Sequence, residues 1–354
     1  MFVDQQYEEI ALRDDIQWID VRSESEYLEA TIPGAVNVPL FTDEERAQIG
    51  TVYKQVSKAE AMELGLVLAS AKLPTLIAKV RDSMQGKTPA IFCWRGGMRS
   101  KTVATVLDLM GISCLRLTGG YRAYREMVVA KLNAWPMQAL PPLIVLHGMT
   151  GVGKTTVLRK LAERGEPVLD LEGLAGHRGS VFGGIGLQVA NQRQFDSRLL
   201  DQLEGLQGRP YLFLEAESRR IGRVTMPEFL FLAKQQGYNI ELTAPVPVRV
   251  SRTLAQYRLE DDELFATQVQ RALQFIEKRF SPNLRVRVKE WMDLRDYKAL
   301  IEALLLEYYD PRYKHAMESY THAFCTIDVS DYDQAIEEIC AYARKVASVS
   351  SVSS

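Results

Sequence analysis

Cys93 opens the run Cys93-Trp94-Arg95-Gly96-Gly97-Met98-Arg99-Ser100. A thiolate is a nucleophile where a thiol barely is. In a glycine-rich loop between a strand and a helix, inward-pointing N–H groups and the positive end of the helix dipole both favour the anion. Arg95 and Arg99 add guanidinium forks suited to an oxyanion. Gly96 and Gly97 let the backbone curl without a Cβ clash, and Ser100 can cap the following helix. Such a thiol could carry a chalcogen atom or attack a phosphorus centre. A lone cysteine is more often a buried structural one, but the flanking Gly and Arg residues count against that reading.

A second run, Gly148-Met149-Thr150-Gly151-Val152-Gly153-Lys154-Thr155, has the G-x4-G-K-T spacing of a phosphate cradle. Gly148, Gly151 and Gly153 let backbone N–H groups surround phosphate. Lys154 supplies a point charge, Thr155 could hold Mg2+, and Thr156 completes the phosphate-facing set. A nucleotide hydrolase would place an aspartate at the end of a second apolar strand. Here Leu212-Phe213-Leu214 instead runs into Glu215-Ala216-Glu217-Ser218-Arg219-Arg220. Asp170 and Glu172 follow another apolar stretch, Val168-Leu169. Either cluster could order Mg2+ or a diphosphate, and a solvated strand end is the plainer reading of any single carboxylate. His177 and Arg178 begin a glycine-rich stretch through Gly184, read as a loop able to close over substrate. His177 taken alone reads as a surface histidine.

The elements that must carry these loops are legible around them. Gln17–Val21, Ala35–Val38, Ala90–Phe92 and Cys114–Leu117 read as short strands, with helical stretches from Thr42 to about Ser83 and across Val103–Met110. Leu143–Leu146 restarts the pattern as a buried strand, followed by the phosphate loop and a helix from Thr155 to Glu163. Val168–Leu171 and Tyr211–Leu214 are further strands, Phe195, Leu199 and Leu203 share a helix face, and the last hundred residues read as largely helical. The alternation predicts an α/β fold with mainly parallel sheets. The expected division is a first domain over 1–133, a Pro-bearing linker over 134–142, a phosphate-loop domain with a helical C-terminal part over 143–346, and a frayed tail over 347–354.

With 354 residues, a net charge of −2 and 25% charged side chains, the chain is long enough for two domains and has no general pull toward nucleic acid. An RNA site must therefore be a local patch. Residues 271–298 hold eight cationic against four anionic side chains, with Phe280 and Trp291 interleaved. Arg279, Arg285, Arg287, Lys289 and Trp291 are the candidate contacts. A solvated helical face explains the same pattern equally well. Tyr308–Tyr313 is a second aromatic cluster that could stack a base or simply pack. The four cysteines lack paired spacing and read as reduced thiols. No His/Cys spacing resembles a zinc site. No apolar run is long enough to span a bilayer, and no secretory signal is evident, so a cytoplasmic, membrane-free protein is expected.

Ile19-Asp20-Val21-Arg22, Glu26-Tyr27 and Ile32–Pro39 together resemble the first signature of rhodanese domains, and Gly119-Gly120-Tyr121 their closing one. Cys93 falls where that family carries its persulfide-forming cysteine. The Cys-x5-Arg spacing departs from it and is similar to that of Cdc25-like and other cysteine phosphatases. The order of pieces, including Glu45-Arg46-Ala47, Gly50–Lys54 and Glu215–Gly222, resembles the tRNA 2-selenouridine synthase family over nearly the whole chain. That resemblance implies a rhodanese-like domain joined to a P-loop domain. It implies modification of wobble 2-thiouridine in tRNAs for Lys, Glu and Gln, by S-geranylation with geranyl diphosphate and then replacement of the geranylthiol group with selenium from selenophosphate. Under it, Cys93 with Arg95, Gly96, Gly97, Arg99 and Ser100 serves selenation, and the phosphate loop serves geranylation. Selenophosphate and geranyl diphosphate are the expected co-substrates and Mg2+ a candidate, with no haem, flavin or zinc. A monomer is expected, with the selenophosphate-producing enzyme as a candidate partner. An ATP-dependent tRNA sulfurtransferase or kinase using a persulfide, and a non-catalytic RNA-binding protein, remain as alternatives.

Overall fold

A computed structural model describes residues 2–258, 260–317 and 324–350. The chain divides into two compact units, Met1–Leu132 with Asp196–Leu200, and Asn133–Phe195 with Asp201–Ser354.

The first unit holds five strands: β1 (Val3–Gln5), β2 (Ile16–Asp20), β3 (Val36–Asn37), β4 (Thr88–Phe92) and β5 (Leu115–Leu117). They lie in the order β1-β5-β4-β2-β3, every pairing parallel. Parallel strands need crossover connections, and helices such as Leu73–Met84 and Met98–Leu109 supply them. The stretch from Thr42 to Ser83 resolves into three helices, Asp43–Gln55, Lys58–Ser70 and Leu73–Met84. Thr42 and Ser57 cap the first two through Glu45 and Glu60 N–H groups. The core under the cysteine loop is Ile19, Val21, Ile91, Val103 and Leu107.

The second unit is built on β6 (Leu143–His147), β7 (Val168–Leu169), β8 (Leu212–Glu215), β11 (Tyr238–Thr243) and β12 (Phe324–Asp328). A small antiparallel hairpin, β9 (Arg220–Ile221) and β10 (Val224–Thr225), lies between β8 and β11 in sequence. The five-stranded sheet has the order β12-β11-β6-β8-β7, again wholly parallel. The strand order reverses beside β6, so the loop after β6 opens at the topological switch point, where open α/β sheets bind ligands. Ile144, Leu146, Phe213, Ile240, Ile336 and Ile339 fill the sheet's core. A separate helical cluster packs Phe265, Val269, Leu300 and Leu304.

The last hundred residues are largely helical, as expected, with β12 lying within them at a sheet edge. One expectation is corrected here. The final helix runs Tyr332–Ser350, so residues 347–350 continue a helix whose Ile336, Ile339 and Ala343 are buried; residues 351–354 of the expected tail lie outside the described residues. No single helix among the described residues is long and apolar enough to cross a membrane.

Candidate functional site

The cysteine loop leaves the C-terminal end of β4 and enters the helix Met98–Leu109. Cys93 is buried, with Sγ 3.3 Å from Ser100 Oγ. Ser100 does not cap through its side chain; its hydroxyl lies 3.2 Å from Gly97 O and faces the thiol. The loop is clamped from behind by the turn after β5. Tyr121 N–H donates to Cys93 O at 2.8 Å and Arg122 N–H to Trp94 O at 2.9 Å. Gly120, at φ +63°, makes that approach possible: a Cβ there would lie 2.2 Å from Cys93 O and 2.4 Å from Gly96 N. Arg116 donates to Gly96 O at 2.7 Å from the side.

Arg95 projects as an exposed side chain. Arg99 is engaged by the chain itself: its fork binds Glu26 at 2.6 and 3.3 Å, and Arg46 approaches the same carboxylate at 3.3 Å. Burial pushes the Glu26 carboxyl up, but Arg99, the Ser23 N–H and Arg46 together outweigh it and hold the group below its usual value. An oxyanion over Cys93 would therefore compete with Glu26 for Arg99. Below the loop, Arg22 and Asp20 form a fully buried pair with contacts of 2.6 to 3.1 Å. The Arg22 guanidinium sits 4.2 Å from the Tyr121 ring centroid. Glu26 and Arg22 were visible only as parts of a signature, and nothing local showed that they would support the thiol loop.

The phosphate loop leaves β6 and enters the helix Lys154–Glu163. Gly148, Gly151 and Gly153 have φ of +149°, +80° and +103°, so the glycines are required by the backbone path. Lys154 Nζ donates to Gly148 O at 2.7 Å, folded across the cradle it is expected to charge. Thr155 donates to Glu172 Oε2 at 2.8 Å. The loop is also held from helices distant in sequence. Arg249, nearly fully buried, donates to Thr150 O at 3.0 Å and forms a two-pronged pair with Asp310 at 2.9 and 2.6 Å. Arg252 donates to Val152 O at 2.7 Å, and Gly148 N–H donates to the Tyr313 hydroxyl. Sequence reasoning missed Arg249 and Arg252, whose partners lie about a hundred residues away.

The carboxylates do converge on this loop, but as a buried network. Asp170 caps the short helix Leu171–Ala175 by accepting from Gly173 N–H at 2.7 Å. Glu215 is fully buried and accepts from Glu172 N–H at 2.6 Å; its other oxygen has no partner. Burial, then the neighbouring Asp170 and Glu172, push Glu215 well above the usual carboxylate range. Burial, then Glu217, push Glu172 up to about 7. Lys234, buried and donating to Glu217 O, is lowered by burial to about 8. Neutral carboxyls are poor ligands for Mg2+ and do not repel a bound anion. Among the described residues no three His, Cys, Asp or Glu side chains are arranged to hold a metal ion. Thr155 and Glu172, 2.8 Å apart, are the residues that would hold an Mg2+ arriving with a phosphate, and no step is routed through one.

His177 is half-buried rather than a surface residue. It is enclosed by Gly183 and Gly222, where a Cβ would lie 2.8 and 2.7 Å from its ring. Arg178 stacks 5.0 Å from the Tyr257 ring centroid and donates to Ile185 O. Ser218 bonds Arg220 O inside the β9 turn, Arg219 pairs loosely with Glu228 at 3.8 Å, and Arg220 is exposed.

In the basic stretch, Arg279, Arg285 and Lys289 are exposed, the last two one helical turn apart on Pro282–Leu294. Arg287 is tied to Glu307 and lies 5.2 Å from the Trp291 ring centroid. Phe280 cannot stack a base: it is buried, edge-on to Tyr308 at 5.6 Å. Tyr308 is likewise buried and Asp310 pairs with Arg249, so the Tyr308–Tyr313 cluster packs and braces the phosphate loop.

Comparison with known proteins agrees with this pairing of loops. Residues 141–346 match the model of the tRNA 2-selenouridine synthase AAA domain, and residues 4–127 that of the Rhodanese-like domain. A tRNA 2-selenouridine synthase of Hydrogenovibrio crunogenus is 34% identical, over 94% of this chain and 96% of the relative. Those of Bdellovibrio bacteriovorus and Pseudomonas putida are 32% and 34% identical, over 86% and 85% of this chain and 89% and 88% of theirs.

Proposed function

The chain belongs to the tRNA 2-selenouridine synthase family, and from that membership we propose a two-step reaction on one wobble base, divided between its two loops. In the first step the sulfur of 2-thiouridine attacks C1 of geranyl diphosphate. A C–S bond forms, the C–O bond breaks, and diphosphate leaves into the cradle of Gly148, Gly151, Gly153, Lys154, Thr155 and Thr156. In the second step the Cys93 thiolate attacks the phosphorus of selenophosphate. An S–P bond forms, the P–Se bond breaks, and the released selenide displaces geranylthiolate at C2 of the base. Water then cleaves the S–P bond and returns the thiol.

The observation that carries the first step is the cradle's geometry: glycines at φ +149°, +80° and +103° shape the loop, and Lys154 Nζ folds across it onto Gly148 O; the carboxylates beside Thr155 add to this. Glu215 is held well above the usual carboxylate range and Glu172 at about 7. A site meant to receive a multiply charged diphosphate is favoured when neighbouring acids can stay neutral. Glu217, His177 and Arg178 complete its surroundings. For the second step, Cys93 sits at the entry of a helix with Ser100 Oγ beside it and Arg99 within the same loop. Arg95 is free to meet an incoming oxyanion, and Arg99 becomes so once Glu26 yields.

We assign the exposed Arg279, Arg285 and Lys289, with Arg287 and Trp291, to the tRNA backbone. The tRNAs are those for Lys, Glu and Gln, the protein works as a cytoplasmic monomer, and its selenium comes from a selenophosphate-producing enzyme.

The test is mass spectrometry of tRNA nucleosides. Incubation with geranyl diphosphate alone is expected to yield S-geranyl-2-thiouridine, and selenophosphate added afterwards 2-selenouridine, without ATP. Product formation only in the presence of ATP would overturn the reading.

A further inference from the structure

Beside the phosphate loop lies a partly open cavity of about 50 Å3. Thr150 of the loop is on its wall. The rest of the lining is almost wholly apolar: Phe182 comes from the glycine-rich segment, Phe265 and Val269 from the helix Asp262–Ile276, and Leu300 from the helix Tyr297–Ala303. Leu304, Leu305 and Tyr309 enter from a π-helical turn, Leu304–Tyr309. Such turns are rare and recur at functional sites.

The polar groups sit unevenly. Thr253 Oγ1 lies under the loop, where a Cβ on Gly151 would come within 2.4 Å of it, and it has no hydrogen-bond partner in the chain. Ser180 and Tyr257 satisfy each other at 3.0 Å. The space therefore has a phosphate cradle at one end and hydrocarbon walls beyond it. The hydroxyls of Tyr297 and Tyr309 are likewise buried in the wall without a partner, but the surface the wall presents is apolar, so a nucleobase placed there would face hydrocarbon along most of its polar edges, at a cost for each unpaired group. A hydrocarbon chain has none to leave.

We propose that this cavity is the prenyl-tail subsite of the diphosphate donor, with Val269 and Leu300 setting the chain length it accepts. The proposal rests on the reading of the phosphate loop as a prenyl diphosphate site, and deepens it by naming where the tail goes and what measures it.

Equilibrium binding to the full chain separates the two claims. Wild-type protein is expected to bind geranyl diphosphate more tightly than inorganic diphosphate. Val269→Phe, which fills the cavity, is expected to weaken geranyl diphosphate about tenfold or more and leave inorganic diphosphate unchanged. It should also shift preference toward a five-carbon prenyl diphosphate. Leu300→Ala, which enlarges the cavity, is expected to shift preference toward a fifteen-carbon chain. Unchanged inorganic diphosphate binding reports that each variant is folded. If both variants keep wild-type affinity and chain-length preference while Lys154→Ala loses geranyl diphosphate, the cavity is not the tail site, though the loop reading stands. If wild-type protein binds ATP and no prenyl diphosphate, both fall.

Discussion

Gly120→Ala isolates the clamp that shapes the cysteine loop. A methyl group at this position would meet Cys93 O at 2.2 Å, Gly96 N at 2.4 Å and Arg95 N at 3.0 Å. All three are backbone atoms, so no rotamer relieves the overlap. Restoring ordinary contact requires the turn after β5 and the loop after β4 to part by about 1 Å. That would break the Tyr121 N–H to Cys93 O bond. The left-handed backbone at φ +63° adds about 1–2 kcal/mol of strain for alanine, and overpacking about 1–3 kcal/mol. The variant should thus lose about 2–5 kcal/mol of stability. A misplacement of about 1 Å in a catalytic group costs on the order of 100-fold in rate. Selenation of pre-geranylated tRNA, followed by nucleoside mass spectrometry, is therefore expected to drop by about that factor. Geranylation of 2-thiouridine tRNA by the same preparation is expected to stay at the wild-type rate. Wild-type selenation by a folded Gly120→Ala protein would refute the claim that this turn shapes the nucleophile loop.

Glu172→Gln probes the buried acids. The Glu172 carboxyl is raised from 4.5 to about 7, so between those values the unfolded chain releases its proton while the folded one keeps it. Its contribution to stability is full below pH 4.5 and lost as pH rises through 7, up to about 3 kcal/mol. The gap in unfolding free energy between wild type and Glu172→Gln should move in favour of the variant by up to that amount from pH 4.5 to 8. Denaturant unfolding at both pH values measures it, and a pH-independent gap would contradict a raised Glu172. Arg249→Met leaves Asp310 buried without its partner, for an expected loss of about 3–5 kcal/mol, together with weaker diphosphate binding through the Thr150 contact. Chemical unfolding of wild-type midpoint would show that the pair does not brace the loop.

Both reactive loops were legible because each is a local device: an apolar strand, a glycine-bearing turn, and a helix start within about a dozen residues. What supports them was not, because it is non-local. Arg99 meets Glu26 across 73 residues, and Arg249 meets Asp310 across 61. β11 and β12 escaped notice because their polar positions blur the pattern. In β11, Asn239 is fully buried against His147 at 2.8 Å, so a core position is filled by a polar residue. Phe280 misled in the opposite direction: set among Arg and Lys, it looked like a stacking platform, yet three-dimensional packing turned it inward. The Glu215 run read as one cluster, but the chain turns into the β9–β10 hairpin: Glu215 and Glu217 act on Glu172, whereas Ser218 bonds Arg220 O and Arg219 pairs with Glu228.

The measurement that bears most directly on the division of labour is the product spectrum of Cys93→Ala. Purified variant supplied with 2-thiouridine tRNA, geranyl diphosphate and selenophosphate is expected to accumulate S-geranyl-2-thiouridine at the wild-type rate and to form no 2-selenouridine. Equal loss of both products from a folded variant, or continued formation of 2-selenouridine, would contradict it.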